Sequence, residues 1–131
     1  MTVVDASAVV EMLLRTPVGE KCRERLLAVD ESLCAPHLLD VEVAQVMRRF
    51  AGRGEITAAR GSEALVDLAD LPLTRYPHGP LLERVWELRN SVSAYDAVYL
   101  ALAEALDAPI VTSDGRVARA HGHHATVQVL D

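Results

Sequence analysis

The sequence predicts an α/β domain in which a central, mostly parallel sheet is flanked by helices. Short apolar segments alternate along the chain with longer segments in which apolar residues recur at helical spacing. The first and fourth short segments, residues 2–4 and 110–112, have the apolar character that is typical of parallel strands buried on both faces. A length of 131 residues, half of them hydrophobic, predicts one domain over residues 1–131 with a substantial core.

The individual elements follow from these spacings. Five short strands are predicted at residues 2–4, 33–35, 73–76, 110–112 and 127–130. Helices are predicted at residues 8–14, 19–29, 38–50, 57–71, 81–89 and 94–106, with a short helical turn at 116–120. The third and fourth helices have only the turn Gly52-Arg53-Gly54 between them, which predicts a helical hairpin. The sixth helix is apolar on three sides, which predicts a central position in the core.

Charge and composition exclude several classes of protein. Acids outnumber bases 19 to 13, so a protein that holds nucleic acid through bulk positive charge is excluded. The two cysteines, Cys22 and Cys34, do not form a Cys-x-x-Cys pair and are predicted to be reduced core thiols. No secretory signal and no apolar run of about 18 residues is found, so we expect a cytoplasmic protein without a membrane partner. The histidine-rich segment 121–124 is interpreted as a solvated turn, with a metal site as the alternative.

Four acids stand out by their positions. Asp5 and Asp114 follow the first and fourth strands, and open parallel sheets bind ligands beyond the carboxyl ends of their strands. Glu42 borders the apolar face of its helix, whereas Asp40 points away and is expected in solvent. Asp96 opens the most apolar helix. The topology therefore predicts that these carboxylates converge at one edge of the sheet.

Helix capping is a simpler explanation for three of these acids when each is considered alone. Asp5 or Ser7 is suited to cap the first helix, and Asp114 is suited to cap the short turn that follows it. Ser93 and Asp96 have the spacing of a capping box, although Glu or Gln is the usual residue at the second position.

Capping does not account for the four acids together, because converging carboxylates repel one another unless protons or cations neutralise them. No lysine or histidine in these segments is placed to do so. Ligands that are all oxygen select hard divalent ions such as Mg²⁺ or Mn²⁺. Such ions, held by a few carboxylates, suit the hydrolysis of phosphodiesters.

Four segments, in this order and at this spacing, resemble the PIN-domain ribonucleases, and within them the VapC toxins of toxin–antitoxin pairs. They are VVDASA (3–8), APHLLDVEVAQVMRR (35–49), AYDAVYLALAE (94–104) and APIVTSD (108–114). The resemblance implies a PIN-like three-layer domain and an Mg²⁺-dependent endoribonuclease, the toxin of a type II pair, that hydrolyses RNA with a metal-activated water.

Residue by residue, the resemblance places the acidic quartet of the family on Asp5, Glu42, Asp96 and Asp114. It implies that Asp5 and Asp96 are the principal Mg²⁺ or Mn²⁺ ligands and that Glu42 and Asp114 complete the site. Ser7 and Thr112 match the small hydroxyl positions near that site. The implied partners are a cognate VapB-like antitoxin, a structured RNA such as transfer or ribosomal RNA, and a second copy of the chain in a homodimer. Two alternatives stay open: a non-catalytic PIN module that binds RNA or protein, and a metal-dependent phosphatase of small molecules.

Overall fold

One parallel sheet organises the molecule in the computed structural model, which describes residues 1–28 and 30–131. Its strands are β1 (Thr2–Val4), β2 (Leu33–Pro36), β3 (Leu73–Tyr76), β4 (Ile110–Thr112) and β5 (Val127–Val129). They lie in the order β3-β2-β1-β4-β5, and all four neighbouring pairs are parallel. Val3 pairs with Cys34 of β2 on one side and with Ile110 of β4 on the other, so the strand order reverses at β1.

Seven α-helices within the described residues flank this sheet. They are α1 (Ala6–Leu13), α2 (Pro17–Leu26), α3 (Leu38–Gly52), α4 (Ala58–Asp70), α5 (Leu82–Glu87), α6 (Ala94–Leu106) and α7 (Gly115–Arg119). The helix α6 packs on β1, β2 and β4, and α5 packs on α6. The helix α1 packs on β4 and joins α2, α3 and α4 in a second layer. This arrangement confirms the predicted three-layer α/β fold.

The core is built mainly from the aliphatic side chains of leucine, valine and alanine. Seven consecutive residues of α6, from Ala97 to Ala103, are buried, which confirms the central position of that helix. Cys22 and Cys34 are buried and free. No helix in the described part of the chain combines the length and the apolar character that a bilayer span requires.

Element boundaries differ from the prediction where capping decides them. The first helix begins at Ala6 rather than at Ala8, because the Asp5 side chain accepts the amide of Ser7 and caps the helix. The second begins at Pro17, capped by Thr16, and ends at Leu26; position 29, its predicted end, lies outside the described residues. The helix predicted at 81–89 is a 3₁₀ turn at Gly79–Leu81 followed by α5.

Two close helix pairs fix the layer that contains α1. The predicted hairpin of α3 and α4 is confirmed, and Gly54 in its turn has a φ of +74° that favours glycine. In the pair α1 and α2, the backbone of Gly19 approaches α1 so closely that a Cβ at this position would lie 1.9 Å from the carbonyl oxygen of Glu11. Glycine is therefore a packing requirement at position 19.

Candidate active site

The structure brings the four predicted acids to one cavity at the carboxyl edge of the sheet. Asp5, Glu42, Asp96 and Asp114 all line this cavity, whose volume is about 630 Å³. It opens beside β1 and β4, where the strand order reverses and where open α/β sheets bind their ligands. The acids share the cavity without being gathered round one point, since no three His, Cys, Asp or Glu side chains in the described ranges form a ready metal-binding group.

Asp5 is the most deeply placed of these acids, with 8% of its surface exposed. Its Oδ2 accepts the hydroxyl of Thr112 at 2.6 Å, and its Oδ1 accepts the amide of Ser7 at 3.4 Å. Burial raises the pKa of Asp5, and the hydrogen bond from Thr112 opposes that rise. Asp5 therefore has a fixed orientation and a carboxylate charge that the protein stabilises only in part.

A hydroxyl network links the ends of β1 and β4 around Asp5. The hydroxyls of Ser7 and Thr112 lie 3.1 Å apart. The amide of Ser113 donates to Ser7 Oγ at 3.1 Å, and the amide of Asp114 donates to Thr112 Oγ1 at 2.9 Å. The two hydroxyl residues singled out in the sequence thus hold the backbone that carries Asp5 and Asp114.

Glu42 reaches the cavity from α3. The helix begins at Leu38, and its N-cap residue, His37, makes no capping hydrogen bond with its side chain. The amide of Leu38 donates instead to Nε2 of His78 at 2.9 Å. One carboxylate oxygen of Glu42, Oε1, accepts the hydroxyl of Tyr99 at 2.6 Å. Burial raises the pKa of Glu42, the hydrogen bond from Tyr99 opposes the rise, and the charges of Asp5 and Asp96 add to it.

Asp96 lies in the first turn of α6, where Ser93 Oγ accepts its amide at 3.2 Å as the capping-box spacing predicts. Burial raises the pKa of Asp96, and the nearby negative charge of Asp114 raises it further. The cap therefore fixes the backbone of this acid while leaving its carboxylate among like charges.

Asp114 differs from the other three acids because it has a cationic partner. Arg116 forks onto it, with Nη2 2.7 Å from Oδ2 and Nε 3.1 Å from Oδ1. These hydrogen bonds from Arg116 lower the pKa of Asp114. The sequence analysis considers only lysine and histidine as counter-ions and does not identify Arg116. An arginine two positions after Asp114 is the sequence feature that indicates this ion pair.

The capping explanations and the shared cavity prove compatible. Asp5 caps α1 through the amide of Ser7, and Asp114 caps α7 by accepting the amide of Arg116 at 3.0 Å. Both residues line the acid cavity as well. A capping hydrogen bond fixes the direction of a carboxylate. Capping by Asp5 and Asp114 therefore orients these side chains and does not conflict with their place in the cavity.

The residues left out of the cavity also have defined environments. Asp40, expected in solvent, forms an ion pair with Arg75 at 2.7 Å. The histidine-rich segment lies at the surface, where Ser91 Oγ accepts the amide of His121 at 2.9 Å and Arg84 donates to the carbonyl of Gly122 at 2.7 Å. These contacts are those of a solvated turn.

The donor set of the cavity fits a hard divalent cation. Its acidic end presents carboxylate and hydroxyl oxygens, and three of its four acids have a raised pKa that a nearby positive charge would reverse. Beyond the acids the cavity continues along α3 to Arg49 and is bordered by Tyr95. Sequence reasoning assigned no role to either residue.

The chain is similar to known proteins in sequence and in fold. Residues 2–122 match the family model of the PIN domain. The chain is 39% identical to ribonuclease VapC12 of Mycobacterium tuberculosis over 130 residues, 99% of both chains. It is 46% identical to ribonuclease VapC1 of the same organism over 130 residues, 98% of this chain and 96% of the relative. The fold is similar to a chain of VapBC2 from Rickettsia felis bound to promoter DNA, with a TM-score of 0.72, 14% identity and coverage of 99% and 98% of the two chains.

Proposed function

The chain belongs to the PIN-domain family of VapC ribonucleases, and we propose that the cavity lined by its four acids is where it cuts RNA. The observation that carries the proposal is that Asp5, Glu42, Asp96 and Asp114 line one cavity at the edge where β1 and β4 meet. Three of these acids have a raised pKa. Such an electrostatic cost is typical of a functional site.

A divalent cation, Mg²⁺ or Mn²⁺, would be held by Asp5 and Asp96, with Glu42 and Asp114 completing its surroundings. When bound, such an ion polarises a phosphoryl oxygen and makes water a stronger nucleophile at neutral pH. It also reverses the sign of the local charge, so that the phosphates of RNA can approach an acidic protein.

The other side chains of the cavity have separate roles in orientation and in proton transfer. Thr112 and Ser7 hold Asp5 in one orientation, which keeps this carboxylate aimed without a change of rotamer. Glu42 has its Oε1 occupied by Tyr99, and its Oε2 is the atom that accepts a proton from the attacking water. The water oxygen then forms a bond to phosphorus as the bond from phosphorus to the leaving ribose oxygen breaks. The leaving oxygen takes a proton from solvent water, and Glu42 later releases its own proton to solvent.

Cleavage of total RNA tests the proposal directly. We expect cleavage with Mg²⁺ or Mn²⁺, none in EDTA, and recovery when the ion is restored. A chain that binds RNA without cutting it under all three conditions would be a non-catalytic module. Release of phosphate from a nucleoside monophosphate, with RNA left intact, would instead identify a phosphatase. Full cleavage in EDTA would contradict the metal.

We propose that a VapB-like antitoxin controls this activity, since the Rickettsia felis relative is a VapBC complex. The acid cavity favours an inhibitor that presents arginine, because a guanidinium forks onto paired carboxylates. A small protein encoded beside this chain should co-purify with it, and replacing the arginine of its inhibitory tail with alanine should restore cleavage. Inhibition that survives removal of every basic residue in that tail would place the contact elsewhere. The resemblance also implies a homodimer, which sedimentation equilibrium of the purified chain tests.

A further inference from the structure

The acid cavity continues away from the four carboxylates along one face of α3. Leu38, Val41, Glu42, Gln45, Val46 and Arg49, spaced by three or four residues, line it, and Tyr95 borders it from the start of α6. We call the part formed by Val41, Gln45, Arg49 and Tyr95 the α3 groove. It is continuous with the acids yet differs from them in chemistry, because it offers an aromatic ring, an aliphatic side chain, an amide and a cation.

Tyr95 is exposed in a way that packing does not explain. Its exposed fraction is 63%, whereas Tyr99, one helical turn later, is 2% exposed and donates to Glu42. Within the described residues the hydroxyl of Tyr95 has no hydrogen-bond partner, and Val41 across the groove is 67% exposed. An aromatic ring in this setting is suited to stack on a planar ligand, and every nucleobase presents such a face.

Arg49 supplies the complementary charge. It lies two turns of α3 beyond Glu42, about 10.5 Å along the helix axis. Two arginines line the cavity: Arg116 forms an ion pair with Asp114, whereas Arg49 forms none with the residues that the structure describes. The chain carries a net charge of −6, so a phosphate needs local cations of this kind to approach.

We propose that the α3 groove binds a nucleotide next to the phosphate that is cut, with its base stacked on Tyr95 and a neighbouring phosphate bound by Arg49. The proposal rests on the proposed ribonuclease function and specifies its substrate: an unpaired stretch of RNA, because a base inside a duplex cannot stack on a side chain. Arg49 lies two helical turns from Glu42. The phosphate that it binds is therefore that of an adjacent nucleotide and not the phosphate that is cut.

Binding measurements separate the two parts of the groove. Each variant is made in an Asp96→Asn background, so that a labelled single-stranded RNA of mixed sequence is held without being cut. Tyr95→Leu should weaken binding roughly tenfold or more, and Tyr95→Phe should keep most of the affinity, since the ring carries the stacking. The matched control is Trp86→Leu, which removes an exposed ring outside the cavity and should leave the affinity unchanged.

The salt dependence of binding tests Arg49. Loss of one phosphate contact to a single strand should reduce the slope of log K against log salt by about 0.7, so Arg49→Gln should give a shallower line. Arg23→Gln removes the same charge beside Asp67 and Asp70, away from the groove, and should leave the slope unchanged. With Asp96 restored, both groove variants should raise KM more than they lower kcat.

The outcomes distinguish this proposal from the function on which it rests. If the parent chain cuts RNA and the groove variants match their controls, the α3 groove is not the substrate site while the ribonuclease function stands. If Tyr95→Leu changes only inhibition by the antitoxin, the groove binds protein and the RNA assignment is wrong. If the parent chain neither binds nor cuts RNA, the proposed function fails and this inference fails with it.

Discussion

The hydroxyl of Tyr99 lies 2.6 Å from Oε1 of Glu42 and joins the most buried helix, α6, to the helix that carries the acid. Tyr99 is 2% exposed, so the donor cannot swing away to water. Burial raises the pKa of Tyr99, and its hydrogen bond to Glu42 raises it further, so this group stays protonated and stays a donor. The pair fixes one oxygen of Glu42, and the proposed proton transfer uses the other.

Tyr99→Phe should shift the pH dependence of cleavage. The hydrogen bond from Tyr99 lowers the pKa of Glu42 against the effect of burial, so its loss raises that pKa further. We expect the acidic limb of the kcat/KM profile to move to higher pH, with a loss of about 1–2 kcal/mol in the free energy of unfolding. Tyr76→Phe, at the end of β3, is the control. An unshifted profile in Tyr99→Phe would show that Glu42 does not carry the titrating proton.

Asp5→Asn and Asp96→Asn should each lower cleavage more than about a hundredfold, because each removes a proposed metal ligand. In the metal-free protein they should also keep or increase the free energy of unfolding at neutral pH. Burial raises the pKa of both acids above the usual 3.8, so the folded state binds their protons more tightly than the unfolded state does. Ionisation therefore costs stability as pH rises through the folded pKa.

The sign of this linkage gives a direct check by chemical denaturation. The stability gained by the asparagine variants should be largest at neutral pH and should shrink as pH falls toward 3.8, where the parent acids become protonated. Asp67→Asn, in α4 outside the acid cavity, should retain full cleavage. Wild-type cleavage by both site variants would leave helix capping as the sole role of these acids, since asparagine caps as well as aspartate.

Arg116→Ala should strengthen the binding of divalent ions. Arg116 holds Asp114 through a forked ion pair, and an ion bound near this carboxylate competes with that fork. Arg116 is 80% exposed, so the competition is modest, and the concentration of Mg²⁺ or Mn²⁺ giving half of the maximal rise in Tm should fall by about two- to fivefold. Arg23→Ala is the control. A higher half-maximal concentration would mean that Arg116 assists the ion instead.

Gly19→Ala should destabilise the fold by about 1–3 kcal/mol or more, because a methyl group at this position meets the backbone oxygen of Glu11 at 1.9 Å. Gly52→Ala is the matched control, since nothing lies within 4 Å of a Cβ there and it is in the last turn of α3. That change should be neutral or should stabilise by up to about 1 kcal/mol. Equal unfolding midpoints for the two variants would contradict the close contact of α1 and α2.

The sequence predicts the positions of the acids better than the groups that hold them. Asp5 and Asp114 follow apolar strands, so the parallel sheet alone predicts that they meet. The hydrogen bond from Tyr99 to Glu42 joins residues 57 apart and depends on how the sheet positions α6 relative to α3. Helical periodicity identifies Tyr99 only as a core residue. Apolar spacing predicts a start of α1 at Ala8, two residues late, because the cap at Asp5 determines where the helix begins.

The hydrogen bond from Thr112 to Asp5 spans 107 residues of chain. During synthesis the first strand leaves the ribosome long before the strand that completes its environment, so an unfinished chain has Asp5 without its donor and without β4 beside it. Contacts so distant in sequence form late in folding. Nascent chains that stop before β4 should therefore be inactive, and a cell that makes this protein is exposed to its nuclease only once nearly the whole polypeptide has been translated.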